Sequence, residues 1–205
     1  MRQPLDINNL RHRLHFVWQW LTQPARPSIE AAPIADVIIA CLHKNSDQVA
    51  QLAATAHQAQ KGKFVFASGA YAETIREKIM SPGYLFTDTL GDEPFSTLRN
   101  ARQQIEEELP PNEFNSATII CPAENAQRFL GLWDTLYGGA PQLAICPPPL
   151  PLNQIYKNSE LVEPTCRLAV AEIRAIQDHI RRKEIAGQIP NVVLADFLEL
   201  ERLLS

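Results

Sequence analysis

Five short apolar runs, each followed by a stretch of helical spacing, set the strongest limit on what this chain can fold into. The runs are ADVIIAC (35–41), KFVFASG (63–69), YLFTDT (84–89), SATIICP (116–122) and PQLAICP (141–147). Their Val, Ile and Phe content is nearly continuous rather than alternating, which fits strands covered on both faces, as in a parallel sheet. Between them lie DQVAQLAATAHQAQ, YAETIREKIM, TLRNARQQIEEEL and ENAQRFLGLWDTLY, with apolar residues at helical intervals. This alternation predicts an α/β, doubly wound, mostly parallel five-stranded sheet with flanking helices. Right-handed crossovers place successive helices on opposite faces wherever the strand order reverses.

The flanks are helical. LRHRLHFVWQWL interleaves Arg11, His12, Arg13 and His15 with apolar residues, so it reads as an amphipathic helix and not as a signal peptide or membrane anchor. The proline-fixed run CPPPLPLNQ, Cys146 to Gln154, predicts an extended connection. A long helix follows over Glu163–Ile185, with Pro164 in its first turn and Gly187 and Pro190 closing it. NVVLADFLELERLL predicts a last amphipathic helix with Val193, Leu194, Phe197, Leu198 and Leu204 on one side. That stripe either packs on the parent domain or forms a homodimer contact, since an apolar face must be covered by something. Residues 1–158 then form the α/β domain with its N-terminal helix, and 159–205 a C-terminal helical extension packed on the same domain.

At 205 residues with a formal charge of −4, and with no basic run beyond Arg181–Lys183, the chain lacks the basic stripe of a nucleic-acid binder. Its four cysteines, Cys41, Cys121, Cys146 and Cys166, are far apart in sequence, with no C-x-x-C pair. A reduced cytoplasmic chain without a metal site is the simplest reading of that spacing.

A doubly wound sheet opens its cleft at the carboxyl ends of the strands, where the strand order reverses. If the fourth strand returns beside the first, CLHKNSD and CPAENAQR line that cleft, with SGA and the start of STLRNA at its side. The candidate ligand-binding residues are therefore Asn45, Ser68, Gly69, Thr97, Asn100, Asn125 and Arg128, with His43, Lys44 and Glu124 beside them. Each has a structural alternative. Ser68-Gly69 suits a strand-to-helix turn, and Asn45, Glu124 or Asn125 suits a helix cap. In LGDEPFSTLRNA, Ser96 or Thr97 reads as the cap, with Pro94 excluding an earlier start. Arg128 is the most suggestive residue, because a cation early in a helix opposes the macrodipole. It suits either an anion seat or a salt bridge. No G-x-G-x-x-G, G-x-S-x-G, H-E-x-x-H or Walker pattern is present, so no dinucleotide fingerprint or nucleophile is specified.

The order ADVIIAC, KFVFASGA, LGDEPFSTLRNA, ATIICPAENAQRF resembles the YdcF/SanA/ElyC group of bacterial proteins from roughly Trp18 to Ile176. WQWLTQ before the first strand is similar to the YdcF-like soluble branch. Ser68 and Gly69 match the family's V-S-G-G, with Ala70 for its last glycine. Thr97 and Asn100 match its third motif, in which Gly91 and Arg99 stand where the family has glutamates. Arg128 matches its H-x-x-R, with Asn125 at the histidine position. The resemblance implies a Rossmann-like domain binding a small anionic or nucleotide-like ligand, such as S-adenosylmethionine. Alternatives are a transferase or hydrolase acting through Glu93, His43 or Lys44, with Asp92 as a substitute acid, and a degenerate scaffold working through protein contacts.

Overall fold

The computed structural model describes residues 6–41, 47–69, 72–78, 85–88, 93–110, 113–148 and 152–205. The chain runs α1 (Ile7–Thr22), β1 (Ala35–Cys41), α2 (Asp47–Gln58), β2 (Gly62–Ser68), α3 (Ala72–Lys78), β3 (Leu85–Asp88) and α4 (Pro94–Glu108). It continues through β4 (Ser116–Ile120), a 3-10 turn (Ala123–Asn125), α5 (Ala126–Tyr137), β5 (Gln142–Ile145), α6 (Leu152–Lys157), α7 (Ser159–Arg181) and α8 (Asn191–Leu204). All five strands are parallel, in the order β3-β2-β1-β4-β5. The expected α/β sheet is therefore present, and β4 does return beside β1.

The sequence explains this order. β1 lies at the centre and is buried along nearly its whole length. On one sheet face Ile38, Ala40, Val65 and Ala67 meet Val49, Ala50 and Ala53 of α2 and Ile75 of α3. On the other Val37, Ile39, Phe66 and Ile119 meet Leu98 and Ile105 of α4 and Phe129 and Trp133 of α5. The helices change face between β3 and β4, where the order reverses, as right-handed crossovers require. The one acid in β1, Asp36, sets the β1–β4 register. Its Oδ2 accepts the Asn115 and Ser116 backbone N–H groups at 2.8 and 2.9 Å and the Ser116 hydroxyl at 3.0 Å. β4 and β5 stop short of Pro122 and Pro147, which have no N–H to give a ladder.

The two chain ends form a second layer. Leu10, Leu14, Val17, Trp18 and Leu21 of α1 pack with Val162, Cys166, Ala169, Ile173 and Ile176 of α7 and with Val193, Phe197 and Leu200 of α8. α1 starts where the Asp6 carboxylate accepts the N–H groups of Asn8 and Asn9 at 3.2 and 3.1 Å. Both α1 and α7 touch the 3-10 turn after β4, so this layer meets the sheet domain at the carboxyl end of that strand. Among the described residues no helix is long and apolar enough to cross a membrane.

Three expectations need correction. The long helix begins at Ser159, four residues before Glu163, because the Asn158 side chain caps it by accepting the Glu160 N–H at 3.0 Å. Pro164 lies inside the helix rather than in its first turn, at an exposed position where the loss of one ladder bond is tolerable. The helix ends at Arg181, with Lys183 in the left-handed region, before Gly187 is reached. The run Cys146–Gln154 is not extended throughout, since Leu152 already starts α6 once the prolines are passed. In α8 the buried stripe is Val193, Phe197 and Leu200, at i, i+4 and i+7, while Leu198 is 59% exposed.

The close approach of β1 and β2 is testable. A Cβ on Gly62 would lie 2.5 Å from Ile38 Cγ1, inside the filled core. Gly62→Ala is expected to lower the unfolding free energy by about 1–3 kcal/mol through overpacking. Urea denaturation checks this, and an unchanged midpoint would show that Ile38 has room to move.

Candidate functional site

The predicted switch point lies between β1 and β4. Register pairs Ala40 with Ile120, and one step further the parallel strands bring Cys41 beside Cys121. Both thiols face the α4–α5 side in the buried core, and both are free. Burial pushes each thiol well above its usual value, with Arg128 opposing the shift. Cysteines that looked unrelated in sequence are thus neighbours, but as protonated, enclosed side chains they are poor nucleophiles.

After β4 the chain turns sharply. The Asn125 N–H donates to the Pro122 carbonyl at 3.0 Å, closing the 3-10 turn, and α5 starts at Ala126. The Asn125 side chain does not cap α5. Its Nδ2 donates instead to Oε2 of Glu172 on α7, at 2.8 Å. Arg128, on the first turn of α5, brings Nε to 2.7 Å from Oε1 of the same carboxylate, an ion pair rather than a well-aligned hydrogen bond. Arg128 and Asn125, separated in sequence from Glu172 by more than forty residues, thus grip both its oxygens. Glu172 is 5% exposed, and the Arg128 side chain 14%.

Burial raises the Glu172 carboxyl from 4.5 to about 7, against the pull of Arg128 and with a further push from Glu124. Glu124, on the 3-10 turn, is also raised by burial, opposed by its own backbone and by Arg128. Among the described residues, the carboxyl ends of β1 and β4 therefore bring together one guanidinium, two desolvated carboxyls and two thiols. Glu172 was not among the sequence candidates. Its signal was present, however: it lies three residues after Ala169 and four before Ile176, on the apolar stripe of α7.

The remaining candidates lie on neighbouring elements. Ser68 is buried at the end of β2, in register with Cys41. Gly69 follows with φ 113°, and its carbonyl accepts the Ala72 N–H at 3.0 Å, so a turn that favours glycine already accounts for it. Thr97 is fully buried, and its hydroxyl has no partner among the described residues. Asn100 is half-buried one turn later on α4. The cap of α4 is neither Ser96 nor Thr97 but Glu93, because Pro94 is itself the first helical residue, where its missing N–H is not needed. The Glu93 N–H donates to Ser96 Oγ at 3.2 Å, and that hydroxyl donates to the Glu93 carbonyl at 2.9 Å. Asn45, His43, Lys44, Ala70, Gly91 and Asp92 lie outside the described residues.

A cavity of about 850 Å³ lies at the other edge of the sheet, between the ends of α4 and α5 and lined by Arg102, Ile105, Phe114, Leu136, Tyr137 and Pro141. It contains none of the candidate residues.

The Glu172 environment has a measurable consequence. Its folded-state pKa lies above the unfolded value, so its contribution to stability is fully present below 4.5 and is lost as pH rises through about 7. Against the wild type, Glu172→Gln is expected to gain on the order of 3 kcal/mol between those limits. Denaturation of both proteins at pH 4.5, 6 and 8 checks this, and parallel pH profiles would contradict the burial.

No family model matches the chain, and no curated protein matches it.

Proposed function

We propose that this chain binds a small ligand through an anionic group at the carboxyl ends of β1 and β4, in the manner of a YdcF-like protein. One observation carries this reading: at the switch point Arg128 and Asn125 converge on a carboxylate and hold both its oxygens. Donors that accept a carboxylate from within the chain are chemically suited to a ligand's carboxylate or phosphate. Their placement agrees with the position of ligand sites in doubly wound sheets. The seat is also poorly hydrated, which strengthens any charge-assisted bond made there.

Nucleotides, sugar phosphates and S-adenosylmethionine all carry such a group. Ser68 and Gly69 at the end of β2 and Thr97 and Asn100 on α4 would form the side wall for the rest of the molecule. The same pair also supports a second reading. Arg128 is already neutralised by Glu172, which suits a scaffold whose former site has become a structural ion pair.

A thermal-shift screen with nucleotides, S-adenosylmethionine and sugar phosphates separates the two. Binding to the folded state raises the melting temperature with ligand concentration. Arg128→Ala alone would strand a buried charge, so the control is Arg128→Met with Glu172→Met, which removes both charges at similar volume. A concentration-dependent rise in the wild type that is lost in the double variant and in Asn100→Ala supports binding. No rise with any ligand leaves the scaffold reading.

A further inference from the structure

We propose that Glu172 is a resident competitor: the α7 carboxylate occupies the Arg128–Asn125 seat and leaves it before a ligand's anionic group can enter, so the C-terminal helix gates the site. The proposal rests on the reading of Arg128 and Asn125 as an anion seat. It adds what regulates that seat.

Three structural facts support it. First, Glu172 occupies Asn125 Nδ2 at 2.8 Å and Arg128 Nε at 2.7 Å, so an anion that is to bridge those two groups must displace this carboxylate. Second, the rest of the buried face of α7 is engaged elsewhere, chiefly in apolar contacts with α1 and α8. An acid on that stripe adds nothing to those apolar contacts and carries a desolvation penalty. Third, three other charged side chains of this layer are paired away from the seat. Arg13 of α1 binds Asp196 of α8 at 2.7 Å, Arg174 of α7 binds Glu201 at 2.6 Å, and His179 of α7 meets Glu184 at 2.7 Å. Arg11 of α1 has a buried Nε with no partner among the described residues, and the Glu172 contact is made by Arg128 and Asn125. Among the described residues, the charges facing Glu172 are Arg128 from α5 and Glu124 from the 3-10 turn, with the Cys121 thiol alongside.

Glu124 helps to set the device. Its carboxyl repels that of Glu172 across the seat, so proton uptake by Glu172 relieves the repulsion and loosens the ion pair together. The apparent affinity for an external anion is the intrinsic affinity scaled by the fraction of molecules in which the seat is vacant. That fraction is small while Glu172 is ionised and rises as it takes up a proton.

Sulfate is a suitable probe, because it does not titrate between pH 6 and 8. Full-length ¹⁵N-labelled protein is titrated with sulfate and followed at the Asn125 carboxamide and Arg128 Nε–H resonances, for the wild type, Glu172→Gln and Glu124→Gln. The expected result at pH 8 is binding about ten-fold tighter in Glu172→Gln than in the wild type. Glu124→Gln, which removes a charge but leaves the seat filled, should gain much less. Lowering the pH to 6 should strengthen wild-type binding and leave Glu172→Gln unchanged. Equal affinity in the wild type and Glu172→Gln overturns the gate while leaving the seat standing, and equal gains in the two variants reduce the effect to net charge and also overturn it. No binding by any of the three proteins removes the seat and the gate together. Should Glu172→Gln fail to fold, Glu172→Ala takes its place with the same expected outcomes.

Discussion

The carboxylate of Glu172, buried between Arg128 and Asn125, is a directional contact that ties α7 of the helical layer to the start of α5 in the sheet domain. A desolvated carboxylate is tolerated only where its oxygens are matched by donors, and here one donor is charged and the other is a carboxamide. Apolar packing among α1, α7 and α8 is less directional and would accept small slides of one helix along another. The ion pair restricts that freedom, because a slide of one turn along α7 would take Glu172 out of reach of both donors. It also explains why a cation is placed early in α5, where the helix dipole disfavours it.

That contact depends in turn on the sheet. The three bonds accepted by Asp36 Oδ2 fix β4 beside β1 at the amino edge, and the ladder carries the register up to Cys41 and Cys121 at the carboxyl edge. Pro122 then stops the strand, and the 3-10 turn aims Asn125 and the start of α5 towards α7. The position of the seat thus follows from where an acid, a proline and a tight turn fall along one strand and its neighbour.

Much of this architecture was legible in the sequence. Strands buried on both faces leave an almost unbroken apolar run, and that signal survives without any knowledge of their partners. The reversal of strand order between β3 and β4 was visible as a condition, and the structure met it. The start of α7 was misread because Pro164 gave a stronger helix-start signal than the Asn158 cap that is used. The side of α8 was misjudged at Leu198, where the true stripe runs to Leu200 instead. The site was only half legible. Arg128 and Asn125 could be placed from their position after an apolar strand, but their partner lies on a distant terminal helix, whose sequence points only to packing or a homodimer contact. A glutamate on an apolar helical stripe signals a buried polar contact, yet its spacing cannot identify the partner. The neighbouring thiols were hidden for the same reason, since pairing across a parallel sheet is set by register and not by sequence distance.

The central claim is that Glu172 is held, desolvated, in the Arg128–Asn125 seat, and titration of its side-chain carboxyl by ¹³C NMR tests that most directly. The account predicts a titration near 7, with a further rise when Arg128 is replaced by methionine and its opposing pull is lost. Titration close to the ordinary carboxylate value of 4.5, unchanged by that replacement, would place Glu172 in water and contradict the account.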